Sequence, residues 1–148
     1  MTSTHICLYF HFVFSTKGRL RWIKESWEQR MHASLGGQLR KLGGIALAVG
    51  GDADHAHVLA SLRATHCAAD VMRDMKANSS AWVHNVIGLR LFKWQDGYGA
   101  FTIISSDVPA TIKYIQGQKE HHRRKTFQEE YLELLKECGI EFDEKYLL

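Results

Sequence analysis

Residues His5 to Phe14 form a nearly unbroken apolar and aromatic run. A run of this kind, ended by a polar loop, reads as a strand buried on both faces, so it predicts a sheet built around it. Ser15-Thr16-Lys17-Gly18-Arg19 breaks it with a basic loop. Trp27, Met31, Leu35, Leu39 and Leu42 then recur at helical spacing, predicting a helix over about 24–42 that Gly43-Gly44 ends. Ile45 to Val49 reads as a short strand, Gly50 to Asp54 as a turn, and His55 to Leu62 as the hairpin partner. A second helix is expected over about 68–86, carrying Val71, Met75 and Trp82.

Phe92 to Gln95, a turn at Asp96-Gly97 and then Tyr98 to Ile104 predict another hairpin or bent strand. Ser106 or Asp107 caps the next helix, with Pro109 in its first turn, and this helix carries Ile112, Tyr114, Ile115 and Gln118 towards Arg124. A final amphipathic helix over about 127–138 stops at Gly139 and leaves a short tail. The order implies an α+β fold: a ferredoxin-like or RRM-like antiparallel sheet with helices packed on one face and the tyrosine-bearing helix C-terminal to the sheet. A single domain over 1–148 is expected, with the acidic C-terminal helix and tail, 127–148, included.

Composition narrows the class. Hydrophobic residues make up 45% of the chain and there is one proline, which argues against disorder. No apolar run approaches the roughly 20 residues that span a bilayer, and no signal peptide is expected. Three widely spaced cysteines exclude a C-x-x-C zinc site and suit a reducing cytosol. The net charge of +3 hides a division: from Phe127 onward, seven acidic residues against two lysines leave −5, so residues 1–126 carry +8. A body that basic suits a phosphate-binding surface, although a solvated face balanced by an acidic tail has the same charge pattern.

His55 and His57 lie two apart on a predicted strand, so both side chains leave the same face, about 7 Å apart at Cα. Two imidazoles so placed can grip one ion, and Asp54 beside them can fix a histidine tautomer. Alone, H-x-H more often describes polar surface or ordinary strand packing. Tyr114 and Gln118 stand at i and i+4 on one helical face, with His121 and His122 following. A half-buried core tyrosine followed by a solvated basic helix end has the same pattern.

Together these pieces resemble the HUH superfamily, in particular single-tyrosine transposases of the insertion-sequence-200-like group. Asp54-His55-Ala56-His57-Val58-Leu59 looks like that family's His-hydrophobic-His strand, and Tyr114-Ile115-Gln116-Gly117-Gln118 like its nucleophile helix. Phe14 to Arg19 resembles its first strand and basic loop, and Gln95 to Phe101 the end of its third connection. The ending, Glu120-His121-His122 and Phe127-x-x-Glu130-Tyr131, resembles relatives associated with repetitive extragenic palindromes.

The resemblance implies a DNA transposase, an HUH single-strand endonuclease and strand transferase, with Tyr114 as nucleophile forming a 5′-phosphotyrosine. It implies His55, His57 and Gln118 as ligands of Mg²⁺ or Mn²⁺, with Asp54, His121 and His122 as supporting groups around them. Lys17, Arg19, Arg21, Arg123, Arg124 and Lys125 would contact single-stranded DNA bearing a hairpin. A homodimer whose tyrosine helix reaches the partner's histidines, and a prokaryotic cytoplasmic, nucleoid-associated location, are implied too. Trp22 and Trp94 suit base stacking, but equally the core or dimer contacts. The alternative is a non-catalytic single-stranded nucleic-acid-binding protein of ferredoxin-like fold, which would survive EDTA and loss of Tyr114.

Overall fold

The computed structural model describes residues 3–147; Met1, Thr2 and Leu148, the ends of the expected domain, lie outside the described residues. Four strands form one antiparallel sheet in the order β2-β3-β1-β4. They are β1 (Tyr9–Ser15), β2 (Ile45–Asp52), β3 (His55–Ser61) and β4 (Gly99–Ile103). The aromatic run supplies β1, which pairs with both β3 and β4 and so occupies an interior position.

Side chains alternate across the sheet, and the two faces have different covers. Phe12, Phe14, Ala56, Val58 and Ala60 point to the face covered by α1 (Glu25–Lys41) and α2 (Ala68–Trp82). Met31, Leu35, Leu39, Met72 and Met75 complete that core, all fully buried. Burial of each such side chain contributes roughly 1.5–3 kcal/mol, which makes this layer the main store of stability. The two long helices thus take one face, as the element order implies. The C-terminal helices lie over the other: Ile115 of α3 (Val108–Gln116) packs on Ala48 and Leu59, while Phe127, Tyr131 and Leu135 of α5 (Phe127–Glu137) pack on Val13 and Phe101. This second cover explains why β1 carries apolar residues on both faces.

Three local details correct or narrow the expectation. The predicted turn at 50–54 shortens to Ala53-Asp54, because β2 continues through Gly50 and Gly51, which pair with His57 and Ala56. Gly50 is required there: a Cβ on it would stand 2.2 Å from the Ile115 carbonyl oxygen, so only glycine lets α3 lie this close to β2. The helix expected to run on towards Arg124 breaks at Gly117, which ends α3 and separates it from the short α4 (Gln118–His121).

Of the two forms expected over 92–104, the described residues show the bent strand and not the hairpin: the segment follows β1 from Trp94 into β4. Trp94 forms an isolated bridge with Thr16 and buries its ring 4.7 Å from that of Phe14. Its indole Nε1 donates to Ser79 Oγ at 2.8 Å. Lys76 Nζ donates to the carbonyls of Gln95, Asp96 and Gly97, so this segment is held by α2. Trp94 and the half-buried Trp22, whose ring lies 5.7 Å from Phe92, are therefore core side chains. No described helix is long and apolar enough to cross a membrane.

Candidate active site

The site forms where β3 meets the C-terminal helices. His55 and His57 leave β3 on the face opposite Ala56 and Val58, and both are fully buried. The approach of α3 at Gly50 brings Tyr114 and Gln118 over them. Gln118 Oε1 lies 3.1 Å from His55 Nε2, and the rings of Tyr114 and His57 are centred 5.8 Å apart, within one chain.

Asp54 stands where the sequence suggests: its Oδ1 accepts from His55 Nδ1 at 2.7 Å. Burial opposes ionisation of Asp54, yet the hydrogen bond from His55 and the charges of His55 and Arg21 hold its carboxyl below the usual carboxylate range. His122 enters the cluster directly, its Nε2 2.8 Å from Gln118 Oε1. His121 Nε2 lies 3.1 Å from Glu130 Oε2 but is too poorly aligned to form a hydrogen bond.

Two residues absent from the sequence-based site complete the arrangement. Glu130, on the first turns of α5, is 1% exposed although carboxylates are rarely buried without partners. It accepts from His57 Nε2 at 3.0 Å, from Gln118 Nε2 at 3.1 Å and from the Tyr114 hydroxyl. His11, on β1, places its Nε2 2.8 Å from His57 Nδ1. Phe127 stacks on His55 with ring centres 4.3 Å apart. The one sequence signal for Glu130 was its place in Phe127-x-x-Glu130-Tyr131; His11 was hidden inside an aromatic strand.

Electrostatics follow from burial and partners. Burial holds His57 down at about 4 despite Glu130, so it is neutral near pH 7. Burial likewise holds His11 at about 3. Burial opposes ionisation of Glu130, but the approach of His122 Nε2 at 3.4 Å and the hydrogen bond from His57 overcome this and keep it well below the usual range. Tyr114 is pushed well above the ordinary phenol value, first by burial and then by the Glu130 charge. His122 loses some basicity to burial and regains more from Glu130, for a net rise.

The donor chemistry fits a cation. His55, His57, His122 and Glu130 each offer one ligand atom, all within 4.8 Å of one another. Gln118 is oriented by its nitrogen, which faces the acceptors Glu130 Oε2 and Tyr114 O. Its oxygen therefore faces His55 Nε2, whose own lone pair points outward because Nδ1–H donates to Asp54. Two acceptors in contact need a proton or a cation between them.

A cleft of about 360 Å³, lined in part by His11, Thr111, Tyr114, Glu130 and Glu133, opens beside the tyrosine. Basic residues border the cluster from two sides. Lys17 and Arg19 lie exposed on the turn after β1, and Thr16 N at its root donates to Asp54 O at 2.8 Å. Arg21 pairs with Asp52 at 3.5 Å, and Asp52 is the register partner of His55. After His122, Arg123 pairs with Glu120 at 3.2 Å, Arg124 is exposed, and Lys125 pairs with Glu133.

Comparison with known proteins agrees with this architecture. None of the curated proteins compared matches the chain. Among solved structures, a Deinococcus radiodurans R1 protein assigned as a transposase superposes with a TM-score of 0.65 at 17% identity, covering 80% of this chain and 95% of that one. A REP-associated tyrosine transposase bound to a REP hairpin superposes with a TM-score of 0.56 at 16% identity, covering 78% of this chain and 68% of that one. At such identities the likeness is one of fold. The profile of the family described as "Transposase IS200 like" matches residues 4–118, from before β1 through Gln118, and the chain therefore belongs to the IS200-like transposase family.

Proposed function

We propose that this protein cleaves and rejoins single-stranded DNA at hairpin or palindromic ends, through a 5′-phosphotyrosine on Tyr114. The observation that carries this reading is the convergence, within one chain, of Tyr114, Gln118, His55 and His57, residues distant in sequence with no packing need for so many polar groups in one buried place. Membership of a transposase family and the hairpin bound by the REP-associated structural neighbour support the substrate class. In this reading residues 1–148 act as one catalytic domain, in the cytoplasm of a prokaryotic cell.

His55, His57 and Gln118, joined by His122 and Glu130, would hold the divalent ion, Mg²⁺ or Mn²⁺; imidazole donors favour Mn²⁺ of the two. Such an ion, when bound, supplies Lewis-acid polarisation of a phosphate oxygen. The chain's own groups do the rest. Tyr114 Oη attacks phosphorus, the P–O3′ bond breaks, and the 3′-hydroxyl leaves with a proton. Because the phosphotyrosine is a diester, attack by a second 3′-hydroxyl restores a DNA linkage and returns Tyr114 without an external energy source. Lys17, Arg19 and Arg21 on one border, and Arg123, Arg124 and Lys125 on the other, would neutralise strand phosphates. Asp54 fixes the His55 tautomer, and His121 stands beside the carboxylate that accepts from Tyr114.

The test mixes the protein with labelled imperfect-palindrome single strands and Mn²⁺. A covalent adduct is expected in wild type and not in Tyr114→Phe. DNA binding that survives EDTA, with no adduct under any condition, would instead establish the non-catalytic binder.

A further inference from the structure

His11 is a buried polar group to which the proposed strand-transfer chemistry gives no task. It lies on β1, 3% exposed, on the same sheet face as His57. Its Nε2 is 2.8 Å from His57 Nδ1, and the two rings stack with centres 5.0 Å apart. On its other side His57 Nε2 meets Glu130 Oε1 at 3.0 Å. An ionised carboxylate can only accept, so His57 carries its proton on Nε2 and its Nδ1 accepts from His11 Nε2–H. Among the described residues no other group is recorded in a hydrogen bond with that Nδ1.

A metal ion binds imidazole through a nitrogen lone pair, so His57 can ligate through Nε2 only after the ring proton is on Nδ1. That proton then points at His11 Nε2, which has to accept rather than donate. We infer that His11 is a positioning residue for the metal site, its Nε2 changing from donor to acceptor so that His57 can adopt the ligating tautomer. The protons balance: each ring loses its Nε2 proton and gains one on Nδ1, and both stay neutral. The His11 ring lines the cleft beside Tyr114, the route by which solvent would exchange these protons. The inference rests on the proposed metal site.

The experiment has two arms. In wild type, long-range ¹H–¹⁵N spectra should place the His57 proton on Nε2 without metal. With Zn²⁺ as a diamagnetic probe, the proton should move to Nδ1 and couple across the hydrogen bond to His11 Nε2. By calorimetry, His11→Phe should weaken Mn²⁺ binding about 10- to 100-fold, the usual cost of removing a partner that orients a ligand. His11→Gln, whose amide can present either a donor or an acceptor, should stay within about threefold of wild type. A His57 proton that remains on Nε2 with Zn²⁺ bound, or unchanged Mn²⁺ affinity in His11→Phe, overturns the inference alone. Failure of wild type to bind either ion overturns the metal site and this inference together. Should His11→Phe not fold, the spectra of wild type decide.

Discussion

The Tyr114 hydroxyl donates to Glu130 Oε2, while Oε1 of the same carboxylate accepts from His57 Nε2 at 3.0 Å. One side chain from α5 therefore ties the candidate nucleophile to a candidate metal ligand. The consequence for Tyr114 is electrostatic: an anion beside the phenol disfavours phenolate, on top of the effect of burial.

Replacing Glu130 by Gln removes that charge while keeping an acceptor near the hydroxyl. The Tyr114 pKa should fall towards the ordinary phenol value, leaving burial as the remaining cause of its elevation. Carbon-13 labelling at tyrosine Cζ resolves Tyr114 from the other tyrosines. A titration that does not move in Glu130→Gln would remove the charge argument.

The candidate site assembles within one chain, with Tyr114 and His57 rings 5.8 Å apart. Mixing Tyr114→Phe with His57→Ala should therefore restore no adduct beyond the background of each variant. Recovery on mixing would point to a tyrosine helix working on its partner's histidines, the arrangement that the family resemblance implies.

Stability of the metal-free protein should fall as pH drops from 7 to 5. Burial holds His57 at about 4 and His11 at about 3, against the ordinary 6.5 in the unfolded chain. Over the interval between, the unfolded state binds protons that the folded state refuses, so acidification favours unfolding, and the effect is complete below the folded values. A drop of about 10 °C in melting temperature from these two groups is expected. Glu130, held low, extends the fall in stability below its ordinary 4.5. His11→Phe, where it folds, should flatten the pH 5–7 part of the curve.

Gly50→Ala places a Cβ 2.2 Å from the Ile115 carbonyl oxygen and 2.9 Å from its Cγ2. Moving α3 to relieve this should destabilise the fold by about 1–3 kcal/mol. Displacing Tyr114 by about 1 Å should slow adduct formation by about 100-fold. Gly37→Ala is the control, since nothing lies within 4 Å of its Cβ position, and there a small gain of about 0.5–1 kcal/mol in helix stability is expected.

Arg124 is exposed and has no ion-pair partner among the described residues, whereas Lys125 is paired with Glu133. Arg124→Ala should therefore reduce affinity for single-stranded DNA more than Lys125→Ala. The slope of log affinity against log salt should shrink by about 0.7 for each phosphate that is no longer neutralised. Equal effects from both substitutions would show that the Lys125–Glu133 pair opens on binding.

The sequence alone determined what local periodicity encodes. Alternation on a strand put His55 and His57 on one face, helical spacing put Tyr114 and Gln118 on another, and the apolar run from His5 to Phe14 announced an interior strand. Those relations depend on a few adjacent residues and survive any packing. His11 and Glu130 escaped because their meaning is created by partners far along the chain, with His57 lying 46 and 73 residues away from them. Inside a run of aromatics His11 looks like one more ring, and on an acidic helix Glu130 looks like one more solvated charge. Strand register put His11 beside His57, and Phe127, Tyr131 and Leu135 docking on Val13 and Phe101 turned Glu130 inward. Likewise, the burial of Trp94 against Phe14 decided for the bent strand over the hairpin, a choice the sequence had left open. Tertiary structure decided these points because a buried polar atom takes its role from the partner that packing supplies.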